Sequence, residues 1–107
     1  MIKFQIKQGH TYSFKLKSDK GYTLLKSVNF ESKEELNQIA NNLNNILQER
    51  ARFERKTNHN GDFTFSLKDE NGKILGNSKK YSSEAGMENG IKNLKKTIDF
   101  NDYNNTL

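Results

Sequence analysis

Residues 3–7, KFQIK, alternate polar and apolar, and residues 11–16, TYSFKL, do so again with Tyr12, Phe14 and Leu16 on one side. A period of two over such short runs is the pattern of half-buried antiparallel strands. A third strand is expected near residues 22–27. The segment SDKG before it ends in Gly21, suited to the positive φ of a three- to five-residue hairpin turn. The period then changes. Leu36, Ala40, Leu43 and Leu47 are spaced for one buried helical stripe, and Ser32 with Glu35 forms a Ser-x-x-Glu capping box at its start. The unit reads β-β-β-α.

The same unit recurs. TYSFKLKSDKGYTLLKS (11–27) aligns without a gap on DFTFSLKDENGKILGNS (62–78) at an offset of 51 residues, Gly21 falling on Gly72 and Ser27 on Ser78. The match continues through Phe30 with Tyr81, Ser32 with Ser83, Leu36 with Met87, Leu43 with Leu94 and Leu47 with Ile98. At the front Phe4 matches Phe53 at an offset of 49, so the second copy carries two extra residues in its first turn, NHNG. The second helix is capped by Ser83, carries the stripe Met87, Ile91, Leu94 and Ile98, and runs from Glu84 and Glu88 to Lys92, Lys95 and Lys96, a polarity that suits the helix dipole. One three-stranded sheet under one helix has too little core to stand alone. The expected fold is therefore α+β: two pseudo-two-fold-related β-β-β-α repeats sharing an antiparallel sheet, with helices packed on one face. Residues 1–107 form a single domain, with repeat one at 2–49, repeat two at 51–98, and 99–107 a polar tail or short strand.

Gly86 and Gly90 lie four apart on one side of the second helix, each at a cost of about 1 kcal/mol against alanine. Where the second copy has Gly90 and Thr97, the first has Ile39 and Ile46. The expectation is a groove at Gly86 and Gly90 that admits side chains or backbone from the first half; alternatively, Gly90 lets its own helix lie close to the sheet. Both readings make these glycines, with Ile39 and Ile46, helix-packing positions.

Composition narrows the chemistry. The 107 residues include no Cys, which removes disulfides, thiolate nucleophiles and Cys-based zinc sites. Seven Phe and four Tyr supply the burial that a 32% hydrophobic content would otherwise leave thin. The N-terminal MIKFQIKQGH has no apolar core of a secretory signal, and no apolar run approaches the ~18 residues of a membrane span. A cytoplasmic monomer without membrane contact is expected. No Walker loop, nucleotide fingerprint or Ser-His-Asp spacing is present. His10 and His59 lie in the first turns of their copies, a pattern read as solvated rather than as metal ligands or acid/base groups. Catalytic residues, cofactors and metals are expected to be none.

From strand to helix, GDFTFSLKDENGKILGNSKKYSSEAGMENGIKNLKK (61–96) resembles the repeat of the YegP-like proteins, a small bacterial family of unknown function. The resemblance is strong there and weaker over residues 2–47, where Gln38, Ile39 and Ala40 replace Asn-Gly-Ile. It implies two repeats, or two one-repeat subunits, in a shared antiparallel sheet, with a strand after each helix crossing to the other half. Residues 51–56 and the segment IDFNDY are the candidates. It implies no activity.

The formal net charge of +5 raises an anionic partner. If Phe4, Ile6, Tyr12, Phe14 and Leu16 point inward, Lys3, Lys7, Lys15 and Lys17 point outward, joined by Arg52, Lys56 and Lys68 from the second copy. That face has no aromatic for base stacking and would hold phosphates by charge alone. Arg55 takes an inward position where the first copy has Ile6, marking a candidate edge. A second arrangement takes the helix at 33–49, three strands and the last helix as the α-β-β-β-α order of a double-stranded-RNA-binding domain, with His59 in a turn and Lys79–Lys80 before the last helix. Against it, residues 1–30 would have no role. The sequence supports a small non-enzymatic accessory or binding module, its partner a protein or a weakly held nucleic acid.

Overall fold

The computed structural model describes residues 1–100; the end of the IDFNDY segment and the rest of the expected tail lie outside the described residues. The strands are β1 (Ile2–Gln8), β2 (Tyr12–Lys17), β3 (Thr23–Ser27), β4 (Phe53–Thr57), β5 (Phe63–Lys68), β6 (Ile74–Asn77) and β7 (Ile98–Asp99). The helices are α1 (Lys33–Gln48) and α2 (Glu84–Leu94). The result is an α+β fold with one seven-stranded sheet in the order β4-β5-β6-β3-β2-β1-β7. The strand after α1, β4, lies beside β5, and the strand after α2, β7, lies beside β1.

Two expectations need correction. The sheet is not wholly antiparallel, because β7 runs parallel to β1, Ile2 opposite Ile98 and Lys3 opposite Asp99. Ile98 is also not part of the second helical stripe, since α2 ends at Leu94. Leaving the helix a turn early lets the chain reach the open edge of β1, where Thr97 accepts a 2.9 Å hydrogen bond from the Ile2 N–H. Ile98 is still buried, at 4% exposure.

Alternation along the strands delivers one set of side chains to the core. Phe4, Phe14, Leu16, Phe65 and Leu67 join Leu36, Leu43 and Leu47 of α1 and Met87, Ile91 and Leu94 of α2 in a single buried cluster. Phe14 stacks between Phe4 (4.9 Å between centroids) and Phe30 (6.3 Å). Both helices start on their serines: Ser32 Oγ accepts from the Glu35 N–H at 3.1 Å, and Ser83 Oγ from the Gly86 N–H at 3.0 Å.

Several contacts recur at the same offset. Tyr12 bridges Phe30 as Phe63 bridges Tyr81, and the strand register slips at Leu16/Lys17 and again at Leu67/Lys68. Ser27 Oγ accepts the Phe14 N–H (2.8 Å) and Ser78 Oγ accepts the Phe65 N–H (2.9 Å). Gly21 and Gly72 take φ values of 89° and 83° at equivalent turns, the left-handed region that other residues enter at a cost. The centre of the sheet is narrow. Strands β3 and β6 meet through Lys26 opposite Asn77 and Ser27 opposite Gly76.

Candidate functional site

Register places the basic residues in rows across the solvent face of the sheet. One row runs Gln5, Lys15, Lys26, Asn77, Ser66, Glu54 from β1 to β4. Beside it Lys3 faces Lys17 and Lys7 faces Ser13. Gln5, Lys7, Ser13, Lys15 and Lys26 line a groove of about 660 Å³ that also takes in His10. Among the described residues, Lys7, Lys15, Lys17 and Lys26 enter no ion pair. Lys3 stands next to Asp99 of β7.

The basic residues of β4 and β5 are in a different state. Glu54 lies between Lys68 and Lys56, paired with both, the latter at 3.2 Å. The Lys68 bond first, then Lys56, holds the Glu54 carboxyl below its usual range. Arg52 bonds Glu49 at 2.6 Å. Of the seven basic residues expected to form one anion-binding face, the structure brings Lys3, Lys7, Lys15 and Lys17 together and gives Arg52, Lys56 and Lys68 acidic neighbours. Lys26, which sequence reasoning missed, joins Lys7, Lys15 and Lys17 in entering no ion pair among the described residues. Its signal was the alternation of β3, where it stands outward between buried Leu25 and Ser27.

Arg55 also finds an account. On edge strand β4 it turns to α2 and forms a two-pronged ion pair with Glu88, one prong 3.1 Å long. A forked guanidinium suits a carboxylate in this way. The order α1, β4, β5, β6, α2 is present within a larger sheet to which residues 1–30 give three strands. His59 lies in the β4–β5 turn. The Lys79 ammonium lies over the rings of Tyr22 (5.6 Å) and Tyr81 (5.2 Å).

Of the two readings given for the glycines of α2, the geometry at Gly90 matches close packing of the helix within its own half. The space at Gly90 is filled by Tyr81, which belongs to the same half of the chain. Two backbone hydrogen bonds to Phe63, 2.8 Å each, hold Tyr81 at the end of β5, and its ring runs beneath the helix. At Gly86 an added Cβ would stand 3.1 Å from the capping Ser83 Oγ. The Tyr81 hydroxyl is buried and has no hydrogen-bond partner among the described residues, and burial pushes its pKa up. Ile46 is buried and Ile39 half-buried against the core.

A second cavity, of about 410 Å³, opens between α2 and the β2–β3 turn. Gly86, Asn89, Gly90 and Asn93 of α2 line one side, Tyr22 and Lys79 another. Gly86 and Gly90 were the residues of it that the sequence singled out; its polar members were not, because the cavity joins turn residues to a helix face more than sixty positions away. Among the described residues, no group of three or more His, Asp or Glu is placed to hold a metal, and no helix is long and apolar enough to cross a membrane.

Comparison with known proteins gives this architecture relatives. The family described as "Domain of unknown function (DUF1508)" matches residues 58–99. The UPF0339 protein YegP of Escherichia coli K12 is 39% identical over 85 residues, covering 78% of this chain and 76% of that protein. The UPF0339 protein PA0329 of Pseudomonas aeruginosa is 30% identical over 96 residues, covering 88% and 87%. The solution NMR structure of E. coli yegP, a protein of unknown function, superposes with a TM-score of 0.78 at 28% identity over 92% of this chain and 89% of that one. A UPF0339 protein from Shewanella oneidensis, SO3888, gives 0.77 over 92% and 87%.

Proposed function

The chain belongs to the UPF0339 (YegP-like) family, and from that premise we propose that it is a non-catalytic binding module that engages an anionic polymer, a nucleic-acid backbone, through the solvent face of β1, β2 and β3. One observation carries the reading: Lys7, Lys15, Lys17 and Lys26 occupy neighbouring register positions without an ion-pair partner among the described residues, whereas on the matching face of β4 and β5 Glu54 pairs with Lys56 and Lys68 and offsets part of their charge. Lysine ammoniums on a sheet face attract phosphates without reading bases, and no aromatic side chain of these strands points outward to stack on one. Cytoplasmic placement fits such a partner.

The same proposal takes residues 1–107 as one domain of two repeats, 2–49 and 51–98, related by a pseudo-two-fold axis through the Lys26–Asn77 pair. Its support is the set of contacts recurring at the 51-residue offset, including the paired Ser27 and Ser78 hydrogen bonds. On this reading the two faces began alike, and the difference at Glu54 left the charge in one half.

Gel shifts with single- and double-stranded DNA and RNA test the function. Binding is expected to be sequence-independent, with Kd on the order of 10⁻⁴–10⁻⁶ M near physiological salt and steeply weaker above it. Lys15→Glu with Lys26→Glu abolishes it, while Lys56→Glu leaves it nearly unchanged. Absence of binding even at low salt overturns the proposal.

A further inference from the structure

The cavity beside α2 has features that the fold does not need. One stripe of α2, Met87, Ile91 and Leu94, is buried in the core. On the neighbouring stripe Gly90 is covered by the Tyr81 ring, which shares the cavity lining, while Gly86, Asn89 and Asn93 border the open space, and its polar members are two carboxamides with both donors and acceptors. Only two large hydrophobic side chains are exposed among the described residues, Tyr22 at 62% and Met1 at 56%, and both line this cavity. Isolated exposed hydrophobics are ordinary, but these two share one concave rim and give it an apolar edge.

The electrostatics select the sign of an occupant. Lys20, Lys79 and Lys96 line the cavity and enter no ion pair among the described residues. The single carboxylate in the lining, Asp19, is engaged by the Met1 ammonium at 3.0 and 3.1 Å. Lys79 instead rests over two aromatic faces, a cation–π contact that leaves its positive charge without an anionic partner among the described residues. At about 410 Å³ the space is of small-molecule size, and the Tyr22 ring gives it a flat apolar wall.

We propose that this cavity binds a small, flat anion, with Lys79 on the anionic group, Tyr22 against the planar body, and Asn89 and Asn93 hydrogen-bonding its edge. The chemistry is shared by an aromatic carboxylate and a nucleoside monophosphate. Neither requires the outer sheet face, so this site stands or falls apart from the one proposed above.

Amide chemical shifts of the full chain, followed by NMR in about 150 mM salt, provide the test, with benzoate, AMP and inorganic phosphate as probes. Saturable shifts at Tyr22, Lys79, Asn89 and Asn93 are expected with benzoate or AMP, at Kd below about 1 mM. Phosphate, which lacks the flat body, is expected to bind at least about tenfold more weakly. Saturation by benzoate alone identifies an aromatic acid site and by AMP alone a nucleotide site. Lys79→Gln and Tyr22→Ala, both substitutions of exposed side chains, each weaken binding severalfold; Lys15→Glu on the other face does not. No saturation by either flat anion up to about 10 mM, equal binding of phosphate, or shifts confined to β1–β3 overturns the proposal.

Discussion

The Tyr81 ring lies against Gly90: a Cβ added at Gly90 would stand 2.8 Å from Tyr81 Cζ and closer still to the hydroxyl oxygen. The equivalent pair in the first half is Phe30 and Ile39. A larger aromatic accompanies the smaller helix residue, and the two differences compensate. Gly90→Ala is expected to destabilise by about 1–3 kcal/mol through overpacking, although helix propensity alone favours alanine by about 1 kcal/mol. Gly90→Leu costs more. In chemical denaturation, Gly90→Ala combined with Tyr81→Leu should lose less than the sum of the single changes, a coupling of roughly 0.5–3 kcal/mol. A rise in melting temperature for Gly90→Ala would show that Tyr81 swings clear and that the glycine is not required.

Ser27 and Ser78 perform one task in two settings. Each hydroxyl accepts a strand N–H, from Phe14 or Phe65, and donates to a backbone carbonyl, Val28 or Lys79. Ser27 is buried at 8% exposure, while Ser78 is partly exposed. Removing a buried acceptor leaves its donor unsatisfied at about 1–3 kcal/mol. Ser27→Ala is therefore expected in that range, and Ser78→Ala below it because water replaces the lost hydroxyl. Equal losses in urea titrations would contradict the difference in burial.

Local rules made the strands, caps and turns legible. Alternation located β1, β2 and β5, the Ser-x-x-Glu box located the start of α1, and glycine located two turns of positive φ. Features that depend on partners distant in sequence were not legible. Ile98 fits a helical stripe in spacing, but the open edge of β1 claims it. Tyr81 reads as one more aromatic until its ring is seen beneath Gly90. The basic face was half legible: alternation turned Lys3, Lys7, Lys15 and Lys17 outward, yet only register shows that Glu54 pairs with Lys56 and Lys68 and that Lys26 adjoins Lys15.

Glu88 offers a pH-dependent test of the β4 edge. Its bond to Arg55 holds the carboxyl below the ordinary value of 4.5. A depressed carboxylate contributes stability that is present above the unfolded pKa and disappears as pH falls through the lower folded value. Both side chains are substantially exposed, Arg55 34% and Glu88 44%, so the contribution is no more than about 1 kcal/mol. Stability of the natural chain should exceed that of Glu88→Gln at pH 7, and the gap should close below pH 4.5 and shrink in high salt. A gap that persists in acid would assign the effect to packing rather than charge.

Gly76 tests whether the sheet behaves as one cooperative body. At the seam between β3 and β6, a Cβ on Gly76 would stand 2.9 Å from the Lys26 carbonyl oxygen and 3.2 Å from Ser27 Cα, both main-chain atoms that cannot rotate away. Relief requires the strands themselves to part, where two register pairs and a flanking 3.0 Å hydrogen bond from the Val28 N–H to the Leu75 carbonyl join them. Gly76→Ala is accordingly expected to cost about 2 kcal/mol or more, a larger penalty than an equal clash with a side-chain end. Because the core cluster spans both sides of the seam, the loss should appear as one shifted transition with Phe14 and Phe65 amides losing hydrogen-exchange protection together. Two separate transitions, with the protection of β1–β3 kept while that of β4–β6 falls, would mean that the halves are held by their own cores and that the seam only aligns them.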